Sequence, residues 1–440
     1  MKTIRLVEYQ RFSFKELEKL GKNYERDLRK FDENQALEQN GELIFNWSYR
    51  DHFRATNYVG IVQIPGLVVE ILPKIDNELA TDFNSVNYGL AQDNLLYMLS
   101  ICSKIPILER ELATLANKPM SLLESLIYIF VTNLENEIRR GVDRGYLYRE
   151  ENLGVLRGKL LISNHIKKNS ILQGKVFVGF DEFCEDTMIN QILKAGCQRL
   201  VSICKASANL RMLHKMLPIF ENVSTMKIQN YHFDRLVYNR NTERYSKLVD
   251  FCWYILNSQS PSPSSGKTET FTFLFSMHSL FEEFIATTIK KHAAEFGFER
   301  DKVYVQAKSR KRSLLIDSHD EARRFFLKPD LLVEDDSNLT KLIIDTKWKA
   351  LKSDKEDSKN GVSQSDIYQV YAYSKRYVCN NNLLLYPKIT GASRKRYLID
   401  DDLKKEINVD FIDMNRDLRR KHSDFIIDLK NILEGVDGSI

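Results

Sequence analysis

The sequence predicts an α/β and α+β multidomain protein, with a C-terminal mixed sheet flanked by helices following an α+β N-terminal region. Three observations lead there. At 440 residues the chain is too long for one small core. Stretches of β alternation and of helical spacing succeed one another along its whole length. One segment breaks the pattern: SQSPSPSSGKTET, residues 258–270, whose two prolines and five serines hold neither helix nor central strand. The expected organisation is therefore an N-terminal region over 1–257, a linker over 258–270 and a C-terminal domain over 271–440.

Composition excludes other classes. With 43% hydrophobic, 11% aromatic and 28% charged residues, the chain is neither disordered nor fibrous. The net charge of +5, from 65 basic and 60 acidic residues, permits nucleic-acid binding but assigns it only to local clusters. The opening MKTIRLVEYQRF has no apolar stretch of signal-peptide length, and no uncharged run reaches the roughly 18 residues that span a bilayer. Six cysteines without a CxxC pair or zinc spacing read as reduced, mostly buried thiols. A cytoplasmic protein without membrane contact is expected.

The elements follow in order. Thr3–Tyr9 alternates as a strand, and a helix follows with Ser13 and Glu16 as a capping box. Tyr58–Ile64 and Leu67–Ile71, joined by Pro65-Gly66, form a hairpin. Ser121–Arg140 has apolar residues at helical spacing and Gly141 past its end. Gly158–Ile162 and Lys175–Phe180 are β-rich around a basic stretch, and helices follow at about Thr187–Lys205 and Glu243–Asn257. Within 258–270, Ser265-Gly266-Lys267-Thr268 imitates the end of a phosphate-binding loop. Pro261 stands where that motif needs glycine and no strand precedes it, so no nucleotide is expected to bind this chain.

The chemistry concentrates near the C-terminus. Phe325–Val333 (FFLKPDLLV) and Lys341–Ala350 (KLIIDTKWKA) read as an antiparallel hairpin turning over Glu334–Thr340. Alternation places Asp345 and Lys347 on one face and Thr346 on the other. If Asp330 lies across from Asp345, two carboxylates and an ammonium converge. Carboxylates so placed repel unless a cation separates them, and Mg²⁺ suits oxygen donors. The Thr346 carbonyl is a further candidate ligand. Upstream, the amphipathic helix MHSLFEEF (277–284) offers Glu282 or Glu283 as a third carboxylate. Downstream, Gln369 and Tyr373 share a helix face. The basic clusters Arg310-Lys311-Arg312, Arg323-Arg324 and Arg394-Lys395-Arg396 are candidates for phosphate contact.

In this order, helix Glu, PD, DxK and QxxxY resemble the PD-(D/E)xK nuclease superfamily in its RecB-like subgroup. MHSLFEEF, LKPDLLV, LIIDTKWK and DIYQVYAY, with YVGIVQIPGLVVEILPKI, LGVLRGKL, FDEFCEDTMINQILK and RNTERYSKL in the first half, are similar to the McrC subunit of McrBC-type restriction systems. The resemblance implies a C-terminal restriction-endonuclease-like domain and Mg²⁺-dependent cleavage of double-stranded DNA, with modified cytosine as trigger. It implies Asp330, Asp345 and Glu282 as metal ligands, Lys347 as catalytic lysine, and Gln369 and Tyr373 orienting lysine and phosphate. It also implies a McrB-like AAA+ GTPase hexamer as partner, which binds GTP and is stimulated by a β-rich finger of the N-terminal region. Finger candidates are Arg157–Phe180, with Lys159, Lys167, Lys168 and Lys175, and the hairpin Tyr58–Ile71. At 440 residues the chain is longer than the resemblance leads one to expect of a minimal member. A stand-alone repair nuclease and a non-catalytic activator of an AAA+ ring are the alternatives.

Overall fold

The computed structural model describes residues 2–437 apart from 22, 39–41, 75–86, 107–111, 114, 116–119, 172–173, 258–270, 308, 350, 352–360 and 401. The chain packs as two compact units, and they do not follow the expected division. One joins Met1–Ser103 to Leu274–Ile440; the other comprises Lys104–Gln259 with Phe271–Phe273. The 258–270 segment lies outside the described residues.

The grouping corrects the assignment of 1–257 to a single N-terminal region, and its cause is a set of buried contacts invisible to local composition. Asn94, on the helix Tyr88–Ile101, donates to the Arg416 carbonyl at 2.7 Å and accepts from the Leu418 amide at 3.0 Å. Tyr97 meets His422 Nδ1 at 2.9 Å and packs edge-on against Phe284.

In the first unit, Lys2–Val7 runs parallel to Leu67–Leu72, which pairs antiparallel with Tyr58–Ile64 as the hairpin reading expects. Gly66 makes that turn at a φ of +78°, which glycine adopts without strain. Ser13 caps the helix Phe14–Leu20, but its side chain accepts from the Lys15 amide, one residue earlier than the expected capping box requires.

The last third of this unit holds a six-stranded mixed sheet. Its order is Val303–Val305, Leu331–Glu334, Thr340–Thr346, Asn381–Pro387, Asp402–Ile412, Lys395–Ile399. Leu331–Glu334 and Thr340–Thr346 are antiparallel, as expected, whereas Asn381–Pro387 is parallel to both its neighbours. Ile343, Leu384, Val370 and Tyr373 form part of one buried cluster, so the helix Gln364–Tyr377 covers the sheet.

Phe325–Val333 is not one strand. Arg323–Leu327 pairs with Arg312–Ile316 in a separate two-stranded sheet, and Leu331–Glu334 joins the large one. Pro329, which has no N–H to give a ladder, stands at the break, and Phe325 has a left-handed φ of +54°.

In the second unit, Ser121 caps the helix Leu122–Ile138 by accepting from Glu124 N at 3.3 Å. The helices Met188–Ile203 and Ser246–Asn257 approach so closely that a Cβ on Gly196 would lie 2.5 Å from Cys252 Sγ. Arg157–Phe180 is more than a ribbon. Val176–Cys184 has Gly145–Leu153 as its full-length partner, Lys159–Leu160 covers its other side, and the basic stretch is the helix Ile162–Asn169. That helix is fastened by reciprocal bonds between Asn152 and Asn169 at 2.8 and 2.9 Å. All six cysteines are free and five are buried. Among the described residues no helix is long and apolar enough to cross a membrane.

Candidate active site

Strand register brings the two aspartates together. Leu331 pairs with Ile344, so Asp330, one residue earlier, comes level with Asp345, which is fully buried on an interior strand. Two residues on, the Lys347 ammonium lies 2.5 Å from Asp345 Oδ2. Beyond that ion pair, both Asp345 oxygens are buried without a hydrogen-bond partner.

Asp330 is held differently: its Oδ2 accepts from the Thr346 amide at 2.6 Å and from the Thr346 hydroxyl at 2.9 Å. The Thr346 side chain therefore supports Asp330, where alternation alone would turn it away. The helix Met277–Lys291 buries Met277, Leu280, Phe281 and Phe284, and this packing delivers Glu282 to the same place. Glu282 Oε1 accepts from Gln306 Nε2 at 3.1 Å. Of the pair Glu282 and Glu283, Glu282 is the one whose charge raises the pKa of Asp330.

Electrostatics register the crowding. Burial, then the charge of Glu282, pushes Asp330 up to about 6 against the lowering bonds from Thr346. Burial, then Asp330, pushes Asp345 up to about 7 despite Lys347. Burial, then Asp345, also raises Glu282. Burial by itself would depress the Lys347 ammonium, but Asp345, Asp330 and Asp366 outweigh it and hold the lysine charged. Three carboxylates share one nearby ammonium, a set short of positive charge.

Gln369 and Tyr373 meet as the helical spacing predicts. Gln369 Nε2 donates to the Tyr373 hydroxyl at 2.7 Å, and that hydroxyl donates to the Lys328 carbonyl at 3.2 Å. The pair thus ties the helix to the segment that presents Asp330. Gln306, His278 and Asp366 were not legible as site residues. Gln306, at a left-handed φ of +54°, is fixed by its amide donating to the Asp330 carbonyl at 2.7 Å. His278 Nδ1 accepts from the Trp348 amide at 3.3 Å. Asp366 accepts from the Tyr386 hydroxyl at 2.8 Å and pairs with Lys349 at 2.5 Å. The one available signal was position: His278 precedes Glu282 by a helical turn, and Asp366 precedes Gln369 by three residues.

The donor set suits a hard divalent cation. All three side chains offer carboxylate oxygen, and Asp345 presents two buried oxygens whose one charged neighbour in contact among the described residues is Lys347. Among the described residues no group of three or more His, Cys, Asp or Glu side chains is placed to hold a metal ion together. Mg²⁺ needs none, because it keeps several waters and takes only one or two carboxylates directly.

The family described as McrBC 5-methylcytosine restriction system component matches residues 53–387 of this chain. The chain belongs to that family. Among relatives of this McrBC component, the type IV methyl-directed restriction enzyme EcoKMcrBC of Escherichia coli (strain K12) is 24% identical over 295 residues, spanning 64% of this chain and 81% of that protein. Among solved structures, the refined half-complex from a tetradecameric assembly of Thermococcus gammatolerans McrB AAA+ hexamers with bound McrC superposes with a TM-score of 0.65. Identity there is 19%, covering 96% of this chain and 99% of that one. The cryo-EM structure of the Thermococcus gammatolerans McrBC complex gives a TM-score of 0.53 at 21% identity, over 66% of this chain and 88% of that chain. At these identities the two structures speak for a shared fold.

The basic residues expected to contact phosphate divide into two groups in this McrBC component. Arg310 pairs with Glu334 at 2.9 Å, Arg324 with Asp317 at 2.9 Å and Asp320 at 2.6 Å, Arg394 with Asp410 at 3.5 Å, and Arg396 with Glu406. Arg312 donates to the Arg376 carbonyl at 3.0 Å and lies over the Tyr377 ring. Lys311, Arg323 and Lys395 have no ion pair among the described residues. Cations already neutralised within the chain gain less from a phosphate, so these three are the better candidates.

Proposed function

We propose that this chain is the nuclease subunit of a GTP-dependent McrBC-type restriction system, cleaving double-stranded, methylcytosine-containing DNA with Mg²⁺ in a PD-(D/E)xK-type domain. The observation that carries the proposal is Asp330 level with buried Asp345 on paired strands, the Lys347 ammonium on Asp345 and Glu282 within electrostatic reach of both aspartates, drawn from three separate stretches of chain. Asp345, with Asp330 or Glu282, would hold Mg²⁺ directly and the remaining carboxylate would act through its bound water; when bound, the ion supplies Lewis acidity toward water and toward a phosphodiester oxygen. Lys347, kept charged by its carboxylate neighbours, orients the attacking water and offsets negative charge growing on the phosphate in an in-line displacement. Tyr373, through the Lys328 carbonyl, keeps Asp330 in place while DNA binds.

The partner would be a McrB-like AAA+ GTPase hexamer; McrB AAA+ hexamers with bound McrC are what one of the Thermococcus gammatolerans structures is named for. The surface in this chain best suited to it is the Gly145–Cys184 segment. There Tyr146, Tyr148, Val155, Leu156, Ile162 and Ile166 are all more than half exposed. A soluble chain seldom leaves so many large apolar side chains in water without a use for them. Basic residues alternate with them, which favours this segment over the buried hairpin Tyr58–Ile71 as the finger.

The test is reconstitution with a McrB-type GTPase, GTP, Mg²⁺ and a duplex bearing 5-methylcytosine. The wild-type chain should stimulate GTP hydrolysis and cut the duplex, and Lys347→Ala should stimulate but not cut. Unaltered cutting by Lys347→Ala would remove the site assignment. Cutting without any effect on GTP hydrolysis would favour a stand-alone nuclease.

A further inference from the structure

The strand carrying Asp345 ends at Thr346, so Lys347 and Trp348 lie past its last residue. What fixes them comes from elsewhere in the chain. The Lys347 amide donates to the Leu385 carbonyl at 2.9 Å, and the Trp348 amide approaches His278 Nδ1 at 3.3 Å. The Trp348 ring packs against Phe281, with centroids 5.2 Å apart. Its indole N–H donates to Glu8 Oε2 at 2.9 Å, a bond spanning 340 residues of sequence.

Glu8 itself is tightly constrained. It stands just past the strand Lys2–Val7, its amide donates to the Leu72 carbonyl at 3.0 Å, and its Oε2 also accepts from the Lys74 amide at 3.1 Å. The next residue, Tyr9, adopts a left-handed φ of +62°, which turns the chain sharply after the carboxyl group. Glu8 is fully buried, and its Oε1 has no partner. Burying such a group costs the fold free energy, and burial pushes its pKa up to about 8. Stability therefore does not explain a carboxyl group here, whereas the direction it imposes on Trp348 does.

We propose that Glu8, supplied by the N-terminal sheet, is a positioning residue for the nuclease site: by fixing the Trp348 indole it holds the adjoining Lys347 ammonium on Asp345. The proposal rests on the nuclease reading of Asp345 and Lys347. It also gives the packing of residues 1–103 with 274–440 a functional use, since the sheet built by the first residues completes a site made by the last.

The test is a double-mutant cycle on DNA cleavage in the reconstituted complex, using Glu8→Ala, Trp348→Phe and the pair. Removing a supporting partner of this kind lowers rates by roughly 10–100-fold. Glu8→Ala should therefore lower kcat by about that factor, with the KM for DNA and the stimulation of GTP hydrolysis unchanged. Trp348→Phe, which lacks the indole N–H, should show a similar loss, and adding Glu8→Ala to it should cause no further one. Glu8→Gln, which keeps an acceptor for the indole, should restore the rate to within a few-fold of wild type. Equal losses from Glu8→Ala in both backgrounds, or wild-type kcat in Glu8→Ala, would overturn the proposal. If Glu8→Ala does not fold, the comparison of Trp348→Phe with Glu8→Gln decides: a wild-type kcat in Trp348→Phe overturns it. Failure of the underlying nuclease reading is seen separately, as normal cleavage by Asp345→Ala.

Discussion

Replacing Asp345 by Asn should abolish cleavage and stabilise the metal-free protein at the same time. Asp345 is fully buried, both its oxygens lack hydrogen-bond partners, and its pKa is pushed to about 7 by burial and by Asp330. A carboxyl raised in the folded state contributes stability that is fully present below its unfolded value near 3.8 and lost as pH rises through about 7. Ionising it in the fold at pH 8 therefore costs on the order of 4 kcal/mol relative to an uncharged side chain of the same shape. Asn is that side chain. Urea unfolding in the presence of a chelator should show Asp345→Asn more stable than wild type by a few kcal/mol at pH 8, with the gap closing toward pH 4. Added Mg²⁺ should stabilise the wild type, because a ligand bound only by the folded state shifts unfolding, and should leave Asp345→Asn unmoved. An Asp345→Asn protein that is less stable than wild type at pH 8 would refute the idea of an electrostatically crowded site awaiting a cation.

Other substitutions probe the supports. Tyr373→Phe removes the bonds to Gln369 and to the Lys328 carbonyl and should slow single-turnover cleavage by about tenfold, while unfolding shifts by about 1 kcal/mol. Gln306→Ala deprives Glu282 of its donor, and a calorimetric Mg²⁺ titration should show affinity roughly 10–100-fold weaker. Glu8→Gln cannot titrate, whereas the wild-type group, raised from 4.5 to about 8, contributes stability below pH 4.5 that is lost as pH rises through about 8. The urea stability of Glu8→Gln relative to wild type should improve by roughly 4 kcal/mol between pH 4 and pH 9. Val155→Asp with Leu156→Asp should eliminate GTPase stimulation and leave the melting temperature in place, since both side chains are exposed.

Much of the site was legible because its key spacings are local. Asp345 and Lys347 are two apart where a strand ends and its alternation carries on by one residue, Gln369 and Tyr373 are four apart on a helix, and these periods bring the side chains together. Asp330 needed only the hairpin register, which the acidic turn announced. Glu8, Gln306 and His278 were not legible, because each acts across a long sequence separation that carries no period. The same is true of the fold. Composition marked 258–270 as a boundary, yet Asn94 and Tyr97 bind residues beyond 410, and no local pattern discloses a returning chain. Gly145–Leu153 was missed because its aromatic residues, Tyr146 and Tyr148, face water, so it lacks the apolar alternation of a half-buried strand. FFLKPDLLV read as one strand because hydrophobicity outweighed Pro329 in the middle of it.

The most direct measurement is a crystal structure of the chain soaked with Mn²⁺, with anomalous scattering collected at the manganese edge. A peak within coordination distance of the Asp345 carboxylate, shared with Asp330 or Glu282, is the expected result. A peak elsewhere, or Asp345 bound only by Lys347 at saturating Mn²⁺, would contradict a divalent-ion centre at this place.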